Sequence, residues 1–507
     1  MRVPFPAGPL NRVLVLLLAA ALLTTAGFVT YRILTDRSCG TGVAKHDGEE
    51  CVGVTDGGFV FHQSLKQVSE QIKAENDKLA GKSVATVALM IPMVSTSPAE
   101  QQEYLEQVQG AYLAQHRANS QDNQPPIRLV LANPGRAYKQ WRTVAEQLAE
   151  AAADEKQNLR AVTGLNISLP ETKEAVRYLT KERGIPVVAG PMTADDIRNT
   201  TADPRAFPGL AHVAPSNGDQ ATVLAAYGAA TKPGEALLIK DLRENDNYLS
   251  SLRASFEKLT KDAPYIPQPY RSPADDVNDK GNLANEFRRM MPEICAATAT
   301  TVYFAGRPVQ LRQFLIELSG RPCPEKAYTV ITGSHASTLL VDPEFTAHWD
   351  MLSTGKGITV RYTALAHPDT WGPHSTEATG GSKKATQELY DLLPKPEPGA
   401  AERAGLADGR VIITYDAVTT AVEGIRKSTV GDVKMPSTAQ VANSWLRMRG
   451  DGRVDGASGW ICLDETGNPY NKAIPIVRLD PTAKTAVLEG VAWPSGHAPD
   501  AKCSTKG

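Results

Sequence analysis

Val84-Ala85-Thr86-Val87-Ala88-Leu89-Met90-Ile91-Pro92-Met93-Val94 is an apolar run that reads as a strand, and a helical pattern follows it at once over Ala99–Asn119, with Tyr104, Val108, Ala111 and Tyr112 on one face. The pair repeats. Ile127–Ala132 is a second strand before a Lys139–Glu155 helix, Leu159–Gly164 a third before a Thr172–Arg183 helix, and Ile185–Ala189 a fourth. Apolar strands alternating with helices that have one polar face imply a parallel sheet covered on both sides.

After Pro215 the alternation starts again, with helices Gly218–Ala230 and Asn247–Lys261 around the strand Ala236–Lys240. It continues through helix Leu283–Ala297, strand Thr301–Phe304, helix Val309–Ser319 and strand Tyr328–Thr332. The expected fold is therefore α/β, with two Rossmann-like lobes. Later segments read as a strand Val411–Thr414, a helix Asp416–Lys427 with Asp416 as its N-cap, and extended pieces at Gly459–Leu463, Ile474–Leu479 and Ala486–Val491.

Upstream, Val13–Tyr31 is an uncharged apolar run of 19 residues behind Arg2 and Arg12, close to the ~20 residues a spanning helix needs. Residues 1–35 are expected to be a transmembrane anchor that leaves the rest outside a bacterial cell membrane. Cleavage as a signal peptide after Thr24-Thr25-Ala26, with secretion, is the alternative. Charged residues before Cys39 do not resemble a lipoprotein processing site. Asp36–Asp56, rich in Gly and charge, reads as a juxtamembrane linker. Phe61, Leu65, Val68, Ile72 and Leu79 then fall at helical spacing, which gives an amphipathic helix ended by Gly81 that packs on the next lobe or forms a short dimerising stalk.

Six cysteines fall into three local pairs, Cys39 with Cys51, Cys295 with Cys323, and Cys462 with Cys503. An even count beyond an export segment points to disulfides, and nearest-neighbour pairing closes three short loops. The spacing needed for zinc is absent. The net charge of −2, without a basic stripe interleaved with aromatics, argues against nucleic-acid binding. No HExxH or P-loop is present, and Gly333-Ser334-His335 lacks the second glycine of a nucleophile elbow, so neither a catalytic centre nor a cofactor is expected. Leu393-Pro394-Lys395-Pro396-Glu397-Pro398 reads as a rigid loop.

Ile413-Thr414-Tyr415-Asp416-Ala417-Val418 resembles the Tyr-Asp-Ala helix start of the branched-chain amino-acid (Leu/Ile/Val) binding proteins that serve ABC importers, a family with the type I periplasmic-binding-protein fold. Asp455-Gly456-Ala457-Ser458-Gly459-Trp460-Ile461, followed by Leu463-Asp464-Glu465-Thr466-Gly467-Asn468, is similar to the same family's ending. Softer matches are Gly164–Ser168, Ile185-Pro186-Val187-Val188 and Ala214–Gln220, and the resemblance runs from about Val84 to Val491. It implies a clamp: residues 83–214 plus about 345–430 form one lobe, residues 215–344 plus about 437–507 the other, and a small solute sits between them.

In that alignment Ser168 and Thr193 fall where the family holds a ligand carboxylate, and Pro191 and Met192 line the same turn. On the second lobe an Asn245-Asp246-Asn247 turn replaces an aromatic, and Ser334 and His335 stand where an acid should receive the ligand's ammonium. A buried ammonium without a carboxylate partner costs several kcal/mol. The resemblance so altered implies a carboxylate- or amide-bearing solute, with Asp246, Arg307 and Ser334 completing the site and Arg307 as a bidentate donor to an anionic group. Two functions follow. One is a solute-binding component of an ABC importer, with a permease as partner; the other is a membrane-anchored receptor or accessory ectodomain that uses the same clamp for sensing or protein contact.

Overall fold

The computed structural model describes residues 38–503 apart from 47–49, 122, 228–231, 274–280, 374, 376, 378, 394–402, 430 and 432. The Val13–Tyr31 segment lies outside the described residues, as does most of the proline-rich run. Among the described residues no helix is long and apolar enough to cross a membrane.

The first sheet has eight strands. In chain order they are β1 (Ser38–Gly40), β2 (Val43–His46), β3 (Glu50–Thr55), β4 (Ala85–Met90), β5 (Ile127–Asn133), β6 (Leu159–Gly164), β7 (Val187–Ala189) and β8 (Leu210–His212). Their spatial order is β1-β2-β3-β5-β4-β6-β7-β8, parallel from β5 to β8 and antiparallel from β1 to β3. The second sheet contains β9 (Leu237–Asp241), β10 (Gln268–Tyr270), β11 (Thr301–Ala305), β12 (Tyr328–Thr332) and β13 (Ile358–Thr363), all parallel. Antiparallel β16 (Ile474–Asp480) and β17 (Thr485–Ala492) close its far side, while β14 (Val454–Gly456) and β15 (Gly459–Ile461) form a separate hairpin. The α/β reading with parallel sheets holds.

Helix α1 (Lys66–Asp77) packs against the first sheet: Leu65, Val68 and Ile72 join its core, and Asn76 donates to the Leu129 carbonyl at 2.8 Å. The segment that read as a juxtamembrane linker supplies β1 to β3. Backbone pairing with the exposed edge of β5 recruits it, a signal that local composition does not carry. All three expected disulfides are present, Cys39–Cys51 between β1 and β3, Cys295–Cys323, and Cys462–Cys503.

Helices α2 (Pro98–Ser120) and α3 (Arg410–Lys427) run against one another over the first sheet. Gly110 permits the approach, since a Cβ there would lie 2.4 Å from the Val411 carbonyl oxygen. Val411–Thr414 is therefore the first turn of a helix and not a strand. Buried on all sides, it shows neither period in so short a run.

The shares of the chain also differ from expectation. β13, assigned above to the first lobe, is hydrogen-bonded in the second sheet between β12 and β16. Residues 438–461, assigned to the second lobe, pack on α3 and the first sheet, and the chain returns to the second sheet only at β16. Asp416 is the reason. It sits in the second turn of α3, too far in to be an N-cap, and its carboxylate accepts from the Ala457 and Ser458 amides at 2.8 Å each and from the Ser458 hydroxyl. Lys472 lies on the far side of Ser458, its ammonium donating to the Ser458 and Gly459 carbonyls at 2.9 Å. Burial pushes the Lys472 value down to about 8, against the opposing pull of Asp416.

Asp416→Ala leaves three buried donors without an acceptor and removes the nearest negative charge from Lys472. A loss of about 3–5 kcal/mol is expected in a urea titration, with Lys472→Met restoring part of it in the double variant.

Candidate functional site

Loops at the carboxyl ends of both parallel sheets face one another across a cleft. In open α/β sheets this is where ligands bind, because side chains and helix amino termini converge there. From the first sheet, the loop after β6 brings Asn166, Ile167 and Ser168, and the loop after β7 brings Pro191 and Thr193. From the second, Arg307 follows β11, and Ser334 and His335 follow β12. Tyr248 enters from the first turn of α4 (Asn247–Leu259). Helices α2 and α3 add Glu100, Glu103, Gln107, Arg410 and Ile413, with Asp408 just before α3.

Of the residues expected from sequence, Ser168, Pro191, Thr193, Arg307 and Ser334 therefore share one cleft. Met192 does not, because its side chain is fully buried in the core beneath β6 and β7. Asp246 does not line the cleft either. It caps α4, accepting from the Leu249 amide at 3.0 Å, and its carboxylate takes Arg307 in a two-pronged pair of 2.7 and 3.0 Å. Both side chains are almost completely buried. Arg307 also places its guanidinium 4.6 Å from the Tyr248 ring centroid and bonds His335 Nδ1 at 3.0 Å. The bidentate donor expected for an anionic solute is thus already occupied from within.

Arg410 forms the counterpart. Its Nη2 donates to Glu103 at 2.7 Å and Thr338 at 2.8 Å, and its Nη1 to Ser337 at 2.9 Å and Asp408 at 3.2 Å. Burial pushes both Glu103 and Glu106 upward; Arg410 pulls against that shift, and the adjacent Asp408 adds to it. His335 is held well below its ordinary value by burial and then by Arg307, so its ring is neutral. Since Arg307 donates to Nδ1, Nε2 carries the proton.

Direct contacts join the two sides. The Tyr248 amide donates to the Ser168 carbonyl at 3.2 Å, Asn247 to Asp196 at 2.7 Å, and the Asp195 amide to Ser251 at 3.1 Å. The cleft is closed around a small space. Gly333 lets Tyr248 reach across, for a Cβ there would sit 2.5 Å from its hydroxyl oxygen.

The sequence reading missed Glu103, Gln107, Asp408 and Arg410. A signal existed for the first two, because Glu100, Glu103 and Gln107 recur at i, i+3 and i+7 and so mark one face of α2. Nothing local marks Asp408 and Arg410, whose role depends on α3 beginning six residues before Asp416.

No protein-family model and no curated protein sequence matches the chain. Solved structures do. The leucine-binding protein LivK of Thermotoga maritima is 15 % identical, with a TM-score of 0.55 over 80 % of this chain and 98 % of that one. The branched-chain amino-acid transporter substrate-binding protein LivJ of Streptococcus pneumoniae, solved with isoleucine, is 13 % identical, with a TM-score of 0.56 over 81 % and 99 %. An ABC-transporter solute-binding protein from R. palustris, solved with benzoate, is 13 % identical, with a TM-score of 0.53 over 83 % and 100 %. The chain thus has the type I periplasmic-binding fold.

Gly333→Ala is expected to displace the Tyr248 hydroxyl at a cost of about 1–3 kcal/mol, read as a lower urea midpoint at unchanged slope. A second outcome concerns His212, whose Nε2–H donates to the Ile197 carbonyl at 2.9 Å and so fixes the loop that carries Thr193. Burial, then Arg198, pushes its value down from 6.5 to about 3. Between those values the unfolded chain holds the extra proton, so stability is present above pH 6.5 and lost as pH falls towards 3, by at most ~1.4 kcal/mol per pH unit from this residue. His212→Gln should show a shallower acid limb in denaturant titrations from pH 7 to 4.

Proposed function

We propose that this protein is an extracytoplasmic solute-binding protein that delivers a small molecule to an ABC importer. One observation carries the reading: neutral hydrogen-bonding side chains from both sheets, Ser168 and Thr193 on one side and Ser334 on the other, meet at the strand ends of a two-lobed fold. The neighbours solved with isoleucine and benzoate lend support, being clamps of the same fold around small organic molecules. Three disulfides support exposure to an oxidising compartment. An anchor at Val13–Tyr31 that holds the protein at the outer face of the cell membrane belongs to the same proposal and rests on the sequence pattern alone.

A receptor or accessory role is the second reading. It draws on the direct bonds between the two sides, which let the clamp close on itself.

A thermal-shift screen of the full chain against small solutes separates the two, since a ligand at 100 times its dissociation constant adds about 2.7 kcal/mol to stability. With a hit in hand, Ser168→Ala and Thr193→Ala should each weaken binding by about 0.5–1.5 kcal/mol in calorimetry. Lys261→Ala, at an exposed position just after α4, should leave it unchanged. Stabilisation by no solute at all would favour the accessory role.

A further inference from the structure

Both arginines of the cleft are paired within the protein. Arg307 is matched by Asp246 and Arg410 by Glu103 and Asp408, all of them buried. A free carboxylate entering this space would have to displace Asp246 or Glu103 from its arginine and leave one acid buried and unpaired. An ammonium group fares no better. Glu103 and Asp408 are held by Arg410, Glu100 accepts from the Ser95 and Tyr104 hydroxyls, and beside Ser334 the chain presents Arg307 and a neutral His335.

What remains open is uncharged. Gln107 is 1 % exposed, lines the cleft, and its Oε1 has no hydrogen-bond partner among the described residues. A buried amide left in that state costs free energy unless a ligand satisfies it. In the same lining, Ser168 accepts weakly from the Ala194 amide at 3.4 Å and keeps its own proton to donate. The side chains of Thr193 and Ser334 line the same space. The cavity is small, about 60 Å³, which suits a solute of a few heavy atoms.

Resting on the solute-binding reading above, we infer that the cleft takes a small uncharged solute carrying both donors and acceptors, of the carboxamide or polyol class, and rejects free carboxylates, amines and amino acids. Gln107 is the residue that recognises it, pairing through its amide. The buried arginine pairs set the specificity by withholding charge.

Calorimetry on the full chain with a series matched in size tests this: propionamide and propane-1,2-diol as the neutral arms, propionate, propylamine and alanine as the charged ones, followed by a wider library sorted by charge at the assay pH. The expected result is a neutral compound bound at least tenfold more tightly than any charged isostere. That preference should fall at least tenfold in Gln107→Leu, whose far-ultraviolet spectrum and melting point report folding. Asp246→Asn keeps the helix cap and releases Arg307, so it should move the preference at least tenfold towards propionate. A charged compound bound most tightly by the wild-type chain overturns the inference and leaves the solute-binding reading standing. So does a neutral compound whose affinity Gln107→Leu leaves unchanged. Binding of no compound in any arm removes the solute-binding reading itself, and the inference with it.

Discussion

The Arg410 guanidinium is the contact on which the arrangement of the cleft depends. It projects from the first turn of α3 on a residue only 7 % exposed, bonded to Glu103 and Asp408 on its own side and to Ser337 and Thr338 on the other. An arginine can do this because its donors form a rigid planar fork that is always charged, so four partners are met by one group in fixed directions. Placing a charge there is costly, and the surrounding acids are the compensation. Asp408 and Glu103 answer Arg410 directly, and the next acid along α2, Glu106, is pushed towards its protonated form.

Arg307 repeats the arrangement on the second sheet, with Asp246 and the Tyr248 face as its surroundings. Two buried ion pairs thus flank one cleft. Each contributes little net stability after desolvation, but each dictates geometry, because neither side chain can turn away without stranding its partner. The loops after β11 and β12 and the start of α4, which carry these contacts, are thereby held in one arrangement. In the proposed solute-binding role, a clamp built in this way would recognise its ligand by shape and hydrogen-bond pattern, with electrostatic attraction spent inside the protein.

The hairpin β14–β15 plays a comparable part for the fold. Its Val454, Ala457 and Ile461 join the core over the first sheet, and Asp416 and Lys472 act on the backbone of its turn. The same residues that resemble a family's sequence pattern are therefore structural: the aspartate binds the turn of the hairpin, and no described contact of it reaches the cleft.

Much of this was legible in the amino-acid sequence. Strands buried on both faces appear as apolar runs, as at Val84–Val94 and Ile127–Ala132, and the helices between them show one polar face, so two successive parallel sheets could be read from periodicity alone. The cysteine pairs followed from count and spacing. The turns holding Ser168, Thr193 and Ser334 followed because loops after parallel strands must lie at one end of a sheet. Tertiary structure alone decided the rest. Whether 411–414 was strand or helix turned on contact with α2, since a segment buried all round carries no periodic signal. The fate of 38–55 turned on a free edge of β5, and the third passage between sheets on a carboxylate at position 416. Above all, the sequence could not show that Arg307 and Asp246, 61 positions apart, would neutralise each other: charge pairing depends on distance through space, and no local pattern records it.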